Sequence, residues 1–135
     1  MTTKEYLEQY WTLNLLINAK MERARLWRQR AEYVSPSGAA GAAGTAGKIR
    51  DRVGDTVAKI ADLEREINTD IDALVDLGRE ISDKIKSIGQ DKLRQVLELH
   101  YLNGLSLDEV AERMHYSYRQ ICRIHSQALA EITCP

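Results

Sequence analysis

The chain has 135 residues, 29% of them charged and 6% aromatic, with no Phe and two Pro; this composition favours helix over a β-sandwich, and the length suits one compact domain or a small domain with an extension. A net charge of −1 excludes a polybasic protein, so any nucleic-acid contact has to come from a local patch. No apolar run nears the roughly 18 residues of a membrane span, no secretory leader pattern opens the chain, and Cys122 and Cys134 are too few for a disulfide framework; the expectation is a cytoplasmic protein with reduced thiols.

Residues 4–33 read as one long helix. Leu7, Tyr10, Ile17, Met21, Ala24 and Ala31 recur at helical spacing, Asn14 and Arg28 interrupt that seam, and Leu13, Leu16 and Trp27 widen it. The second half is basic, with Lys20, Arg23, Arg25, Arg28 and Arg30 against Glu22 and Glu32. Such a face is either an ion-paired helix surface or a contact to DNA phosphate. Residues 35–48 carry Pro36 and four glycines among small residues, and are expected to form a flexible linker. Gly47-Lys48 does not make a phosphate loop, because Ala42 and Ile49 stand where that loop needs Gly and Ser or Thr.

Residues 50–88 form the second long helix. Ile60, Ile67, Leu74, Ile81 and Ile88 recur every seven residues, and Val57, Ile71 and Ile85 stand three residues before alternate members. Glu64 and Gly78 take the two other such positions, beside Leu63 and Leu77. This narrow stripe among charges marks a coiled-coil helix that cannot bury its apolar edge alone. The simplest arrangement is an antiparallel hairpin with the Gly/Ala segment at its tip. Self-association through the 57–88 stripe, as a homodimer, is also expected.

Gly89 ends that helix. Asp91 can cap a third helix running to about Tyr101, with Leu93, Val96, Leu97 and His100 on one face, and Asn103-Gly104 is a turn signal. Two short helices then follow. Ser106 with Glu109, and Ser117 with Gln120, are capping boxes, and Leu105/Val110 and Tyr116/Ile121 are their hydrophobic staples. Two helix starts eleven residues apart are the layout of a helix-turn-helix. The small Ala111 lets the second helix cross closely. Val110, Met114, Ile121, Ile124 and Leu129 would fill the angle, with Leu93 and Leu97 beneath. The expected fold is therefore all-α: a long antiparallel coiled-coil hairpin over residues 1–89, then a small trihelical helix-turn-helix domain over 90–135. A core of that size is marginal, so the second domain should lean on the long helices.

The remaining face of the last helix holds Tyr118, Arg119, Gln120, Cys122, Arg123, Ser126 and Gln127, and no acid stands from Ser117 to Ala130. The major groove admits one helix; Arg pairs with guanine and Gln with adenine there. Residues near the start of a recognition helix reach base edges, which points to Arg119, Gln120 and Arg123. Ser117 and Tyr118 stand at the helix N-terminus, where phosphate is favoured, and His125 could add a phosphate contact. Double-stranded DNA is the expected partner.

The stretch Leu-Arg-Gln-Val-Leu-Glu-Leu-His-Tyr-Leu-Asn-Gly-Leu-Ser-Leu-Asp-Glu-Val-Ala, followed by the Ser-capped helix ending in Ala-Leu, resembles region 4 of sigma-70-type sigma factors. The whole chain looks like small phage- and prophage-encoded transcription regulators with such a C-terminal domain, to which ArpU-type late regulators are related in outline. The resemblance implies that Arg119, Gln120 and Arg123 contact bases of a promoter element, that Ser117 and Tyr118 contact its backbone, and that RNA polymerase is a candidate partner. Two positions depart from the pattern: His115 stands at a corner usually held by Gly, and Gln127 where a basic residue is common. There is no room for the region that opens promoters, so an accessory regulator is expected.

Two other function classes fit the same outline: a DNA-packaging component resembling small terminase subunits, and a helical adaptor that binds RNA polymerase instead of DNA. An enzyme is not expected, since no nucleophile–base pair or glycine-rich cradle is present. No cofactor is expected either. Cys122, His125 and His115 lack a fourth ligand and a zinc spacing.

Overall fold

The structure, a computed structural model, describes residues 1–33 and 43–132. Every regular element among them is helical: α1 (Thr3–Tyr33), α2 (Ala43–Lys86), α3 (Asp91–Leu97), which continues into a π-helical turn (Glu98–Leu102), α4 (Leu107–Met114) and α5 (Tyr118–Glu131). The all-α expectation holds, with two long helices ahead of a helix-turn-helix. Among the described residues no helix is long and apolar enough to cross a membrane. Most of the expected linker, and Cys134, lie outside the described residues. Residues 43–48, however, are helical, so α2 begins seven residues before the expected start.

The contacts divide into two compact units, one of residues 1–14 and 73–135, the other of residues 15–72. The first thus crosses the boundary at residue 89/90 drawn from the sequence. In this unit α1 and α2 run antiparallel: the Tyr6 hydroxyl donates to Glu80 at 2.7 Å, and Gly78 admits the Tyr10 ring so closely that a Cβ would stand 3.0 Å from its edge. Tyr6, Leu7, Ile81, Ile85 and Ile88 join one core with Leu93, Val96, Leu97, Tyr101, Val110, Ala111, Ile121, Ile124 and Ala128. The three short helices do lean on the long ones, because their own apolar faces are too small to close a core.

In the other unit, Ile17 and Ala24 of α1 and Ile60, Leu63 and Ile67 of α2 are buried. Lys20 pairs with Asp70 at 2.6 Å and with Glu66 at 3.6 Å, and Arg28 pairs with Glu64. Partner numbers fall along α2 as they rise along α1, so the helices are antiparallel here too. Met21 and Leu16, expected inside, are 52% and 45% exposed. Lys20 is half-buried in the place that the pattern gave to Met21.

Local chemistry fixes the joints. Asp91 is not a cap: α3 starts on it after Gln90, which makes no side-chain cap bond. Asp91 instead pairs with Arg94, whose guanidinium also donates to the Ile88 carbonyl at 2.5 Å. At the end of the π-helical turn the Asn103 amide reaches back to the Glu98 carbonyl at 2.9 Å. His100 Nδ1 lies 2.6 Å from the Leu105 carbonyl, tying down the turn that follows. Gly104 in that turn has φ +77°, and a Cβ there would lie 2.4 Å from the Trp11 ring.

Candidate nucleic-acid interface

Both capping boxes form as the spacing demands. Ser106 Oγ accepts the Glu109 amide at 3.2 Å while Glu109 reaches back to the Ser106 amide at 3.4 Å. Ser117 Oγ accepts the Gln120 amide at 3.2 Å, and Gln120 Oε1 accepts the Ser117 amide at 2.9 Å. Of the staples, Val110 and Ile121 are fully buried and Leu105 is half-buried, but Tyr116 is 38% exposed.

The corner between α4 and α5 is a Schellman turn on His115. The Tyr116 amide bonds the Ala111 carbonyl at 3.0 Å and the His115 amide the Glu112 carbonyl at 3.4 Å. His115 has φ 61°, the one positive φ at a non-glycine among the described residues. An L-residue there costs roughly 1–2 kcal/mol. His115→Gly is therefore expected to stabilise the protein by about 0.5–1 kcal/mol after the entropy of the added glycine is counted. Thermal unfolding should rise by about 2–4 °C; a fall would mean that imidazole contacts hold the corner.

Ala111, Val110, Ile121, Ile124 and Ala128 close the angle between the two helices, with Met114 and Leu129 half-buried at its edge. Buried Ile121, Ile124, His125 and Ala128 define the inner side of α5. At 100° per residue, the opposite side centres on Arg119, Arg123 and Ser126, all exposed. Tyr118 and Cys122 flank one edge of that face, and Gln120 and Gln127 the other. Cys122 is half-buried; the remaining members are exposed. Arg119 and Arg123 are one turn apart, and neither is held in an ion pair among the described residues.

Two members are constrained in ways that spacing alone does not show. Gln120 spends its carbonyl on the cap, so its amide nitrogen is the half left free for a base edge. Tyr118 has its phenol pushed above the ordinary range, first by a hydrogen bond with the Cys122 thiol and then by its electrostatic effect. The Tyr118 and Arg119 amides, in the first turn, have no helical acceptor and add to an anion-favouring end.

His125 is a correction. It is 8% exposed, with Nε2 2.7 Å from the Tyr101 hydroxyl, so it cannot reach a phosphate. Burial, then the positive influence of His100 and Lys4, lowers its pKa to about 4, while burial raises Tyr101 to about 12. The pair is neutral at physiological pH. Its spacing from Ile121 and Ala128 already sets it on the inner side of α5; the Tyr101 partner is what only tertiary packing reveals. Because the folded pKa lies below the unfolded value of 6.5, the unfolded chain takes up the proton first as pH falls. Stability is complete above about pH 6.5 and declines between there and pH 4, by up to about 3 kcal/mol. His125→Gln should flatten denaturation midpoints measured across this interval; an unchanged slope would assign the loss to other groups.

No cluster of three or more His, Cys, Asp or Glu side chains able to hold a metal occurs among the described residues. Residues 90–132, about a third of the chain, match the family described as Sigma-70, region 4. Comparison with curated proteins and with solved structures gives no match. This part of the chain is a sigma-70 region 4-like helix-turn-helix, a DNA-binding domain of regulatory type.

Proposed function

We propose that this protein is a sequence-specific DNA-binding transcription regulator of phage or prophage type, which lays α5 in the major groove. The observation that carries the reading is the outward face of α5: Arg119 and Arg123 stand one turn apart, exposed and free of acidic neighbours on their own helix. Each can present a guanidinium fork to guanine. Gln120 contributes its amide nitrogen, and Ser117 and Tyr118 meet the backbone at the helix start. Cys122, Ser126 and Gln127 complete the contact surface. The phage assignment is supported by the resemblance of the whole chain, a charged helical half ahead of a sigma-like domain. Exposed Val57, Ile71 and Val75 on α2 support self-association, which sedimentation at high protein concentration tests; a monomer throughout rejects it.

Retention of DNA fragments in gels tests the main reading. Fragments upstream of the genes neighbouring its own are expected to be retained ahead of random DNA at moderate salt. Arg123→Ala should lose about 1–3 kcal/mol of discrimination against the wrong base, a factor of roughly 5 to 150. Equal retention of all fragments by the unaltered protein would reject sequence-specific regulation.

A further inference from the structure

The helix-turn-helix domain carries too little positive charge to hold a duplex firmly. Residues 90–132 contain five Lys and Arg against six Asp and Glu, and Arg94 is taken up by Asp91 and the Ile88 carbonyl. Affinity for DNA depends mainly on cations that displace counterions from phosphates, so further cations are needed. The two stretches 22–32 and 48–59 together hold eight Lys and Arg against four Asp and Glu, in a chain whose total is −1.

Ion pairing sorts these basic side chains. Arg25 is held by Glu22 and Arg28 by Glu64, as is Lys20 by Asp70. Arg30, Arg52 and Lys59 differ. Among the described residues none of them is in an ion pair, and all three are exposed. They line one surface pocket of about 290 Å³, with Ala31 and Val53 half-buried in its wall and Asp55 and Thr56 completing it. On α2, positions 52, 55, 56 and 59 fall on one helix face, and α1 brings Arg30 to it. The Thr56 hydroxyl donates to the Arg52 carbonyl at 2.8 Å, so the free donors of the pocket are the three cations. With Asp55 counted, the pocket keeps an excess positive charge.

We infer that Arg30, Arg52 and Lys59 form a second, sequence-independent contact, to the phosphodiester backbone of DNA. This rests on the proposed DNA-binding function and extends it to a part of the chain outside the matched family. The pocket is small for an organic ligand but wide enough for a phosphate group. Its cations are flexible and exposed, suited to phosphate at any sequence and unsuited to base readout. Linked in one chain to a domain that engages DNA, even a weak phosphate site gains a high local concentration of its ligand.

The test uses the full chain, binding fluorescent 20–25 base-pair duplexes, one retained preferentially and one random, between 50 and 200 mM salt. Arg30→Gln/Arg52→Gln/Lys59→Gln is expected to reduce the magnitude of the slope of log K against log salt by about 2–3. It should weaken both duplexes alike, by roughly a hundredfold or more at 100 mM salt, and leave their ratio unchanged. Asp55→Asn should tighten both. The charge-matched variant Lys4→Gln/Arg25→Gln/Arg65→Gln, which removes cations already paired with acids, should keep most of the slope. An unchanged slope in the pocket variant, with DNA still bound, overturns the inference alone. An equal loss in the charge-matched variant overturns it too, by reducing it to net charge. If polyglutamate or millimolar inorganic phosphate binds through these three residues while the duplex slope stays fixed, the pocket serves an acidic protein or a free anion and the DNA assignment falls. Absence of any duplex binding by the unaltered protein overturns the DNA-binding reading itself.

Discussion

Leu7→Ala is expected to destabilise the protein by about 2–5 kcal/mol, although it lies more than eighty residues from the helix-turn-helix in sequence. Leu7 is fully buried, in the core that also holds Leu97, Val110 and Ile121. Removing its side chain leaves a cavity whose lining comes from both ends of the chain. The same substitution at Leu15, on the same helix and 65% exposed, should change stability by no more than about 0.5 kcal/mol. Chemical denaturation of the two variants checks this. Similar midpoints would mean that the start of α1 is not part of the DNA-binding unit's core.

Gly104→Ala is expected to cost about 3 kcal/mol, from two additive causes. A φ of +77° disfavours any Cβ by roughly 1–2 kcal/mol. The new Cβ would also stand 2.4 Å from Cζ2 of Trp11 and 2.8 Å from two further ring atoms. The indole is a rigid plate, so the turn or α1 has to move, and overpacking of that kind costs typically 1–3 kcal/mol. The turn leads directly into the Ser106 cap, so α4 should lose order first. Unfolding temperature should fall by about 10 °C. Gly89→Ala, which meets nothing within 4 Å, is the control and should change little. Trp11→Ala in the Gly104→Ala background should relieve the clash but not the strained φ; no relief would place the whole cost in the backbone.

Sequence is a good guide where an interaction is local. The caps at Ser106 and Ser117 were legible because a capping box is an interaction over three residues, and no distant part of the chain can rewrite it. The corner at His115 was marked only by the resemblance to sigma region 4, where Gly usually stands, whereas the inward Ala111 followed from helical spacing. The outward face of α5 was legible because its apolar residues recur strictly at helical spacing. What needed the fold was what depends on partners far away. Trp11 against Gly104 joins positions over ninety residues apart, and nothing local marks either as the other's neighbour. Tyr6 and His125 are buried by elements that a one-dimensional pattern does not place. Lys20 is half-buried only because Asp70 and Glu66 come to it from α2. The pocket of Arg30, Arg52 and Lys59 is likewise assembled from two helices, while the basic run in α1 that suggested it turns out to be largely ion-paired.

The proposed readout of base edges by α5 rests on Arg119 and Arg123. Selection of bound duplexes from a random pool, carried out with the unaltered protein and with Arg119→Ala/Arg123→Ala, tests that most directly. The unaltered protein is expected to enrich one motif containing guanines. The variant should still bind duplex in a salt-dependent way while enriching none. Enrichment of the same motif by the variant would contradict readout by α5 and move it to another surface.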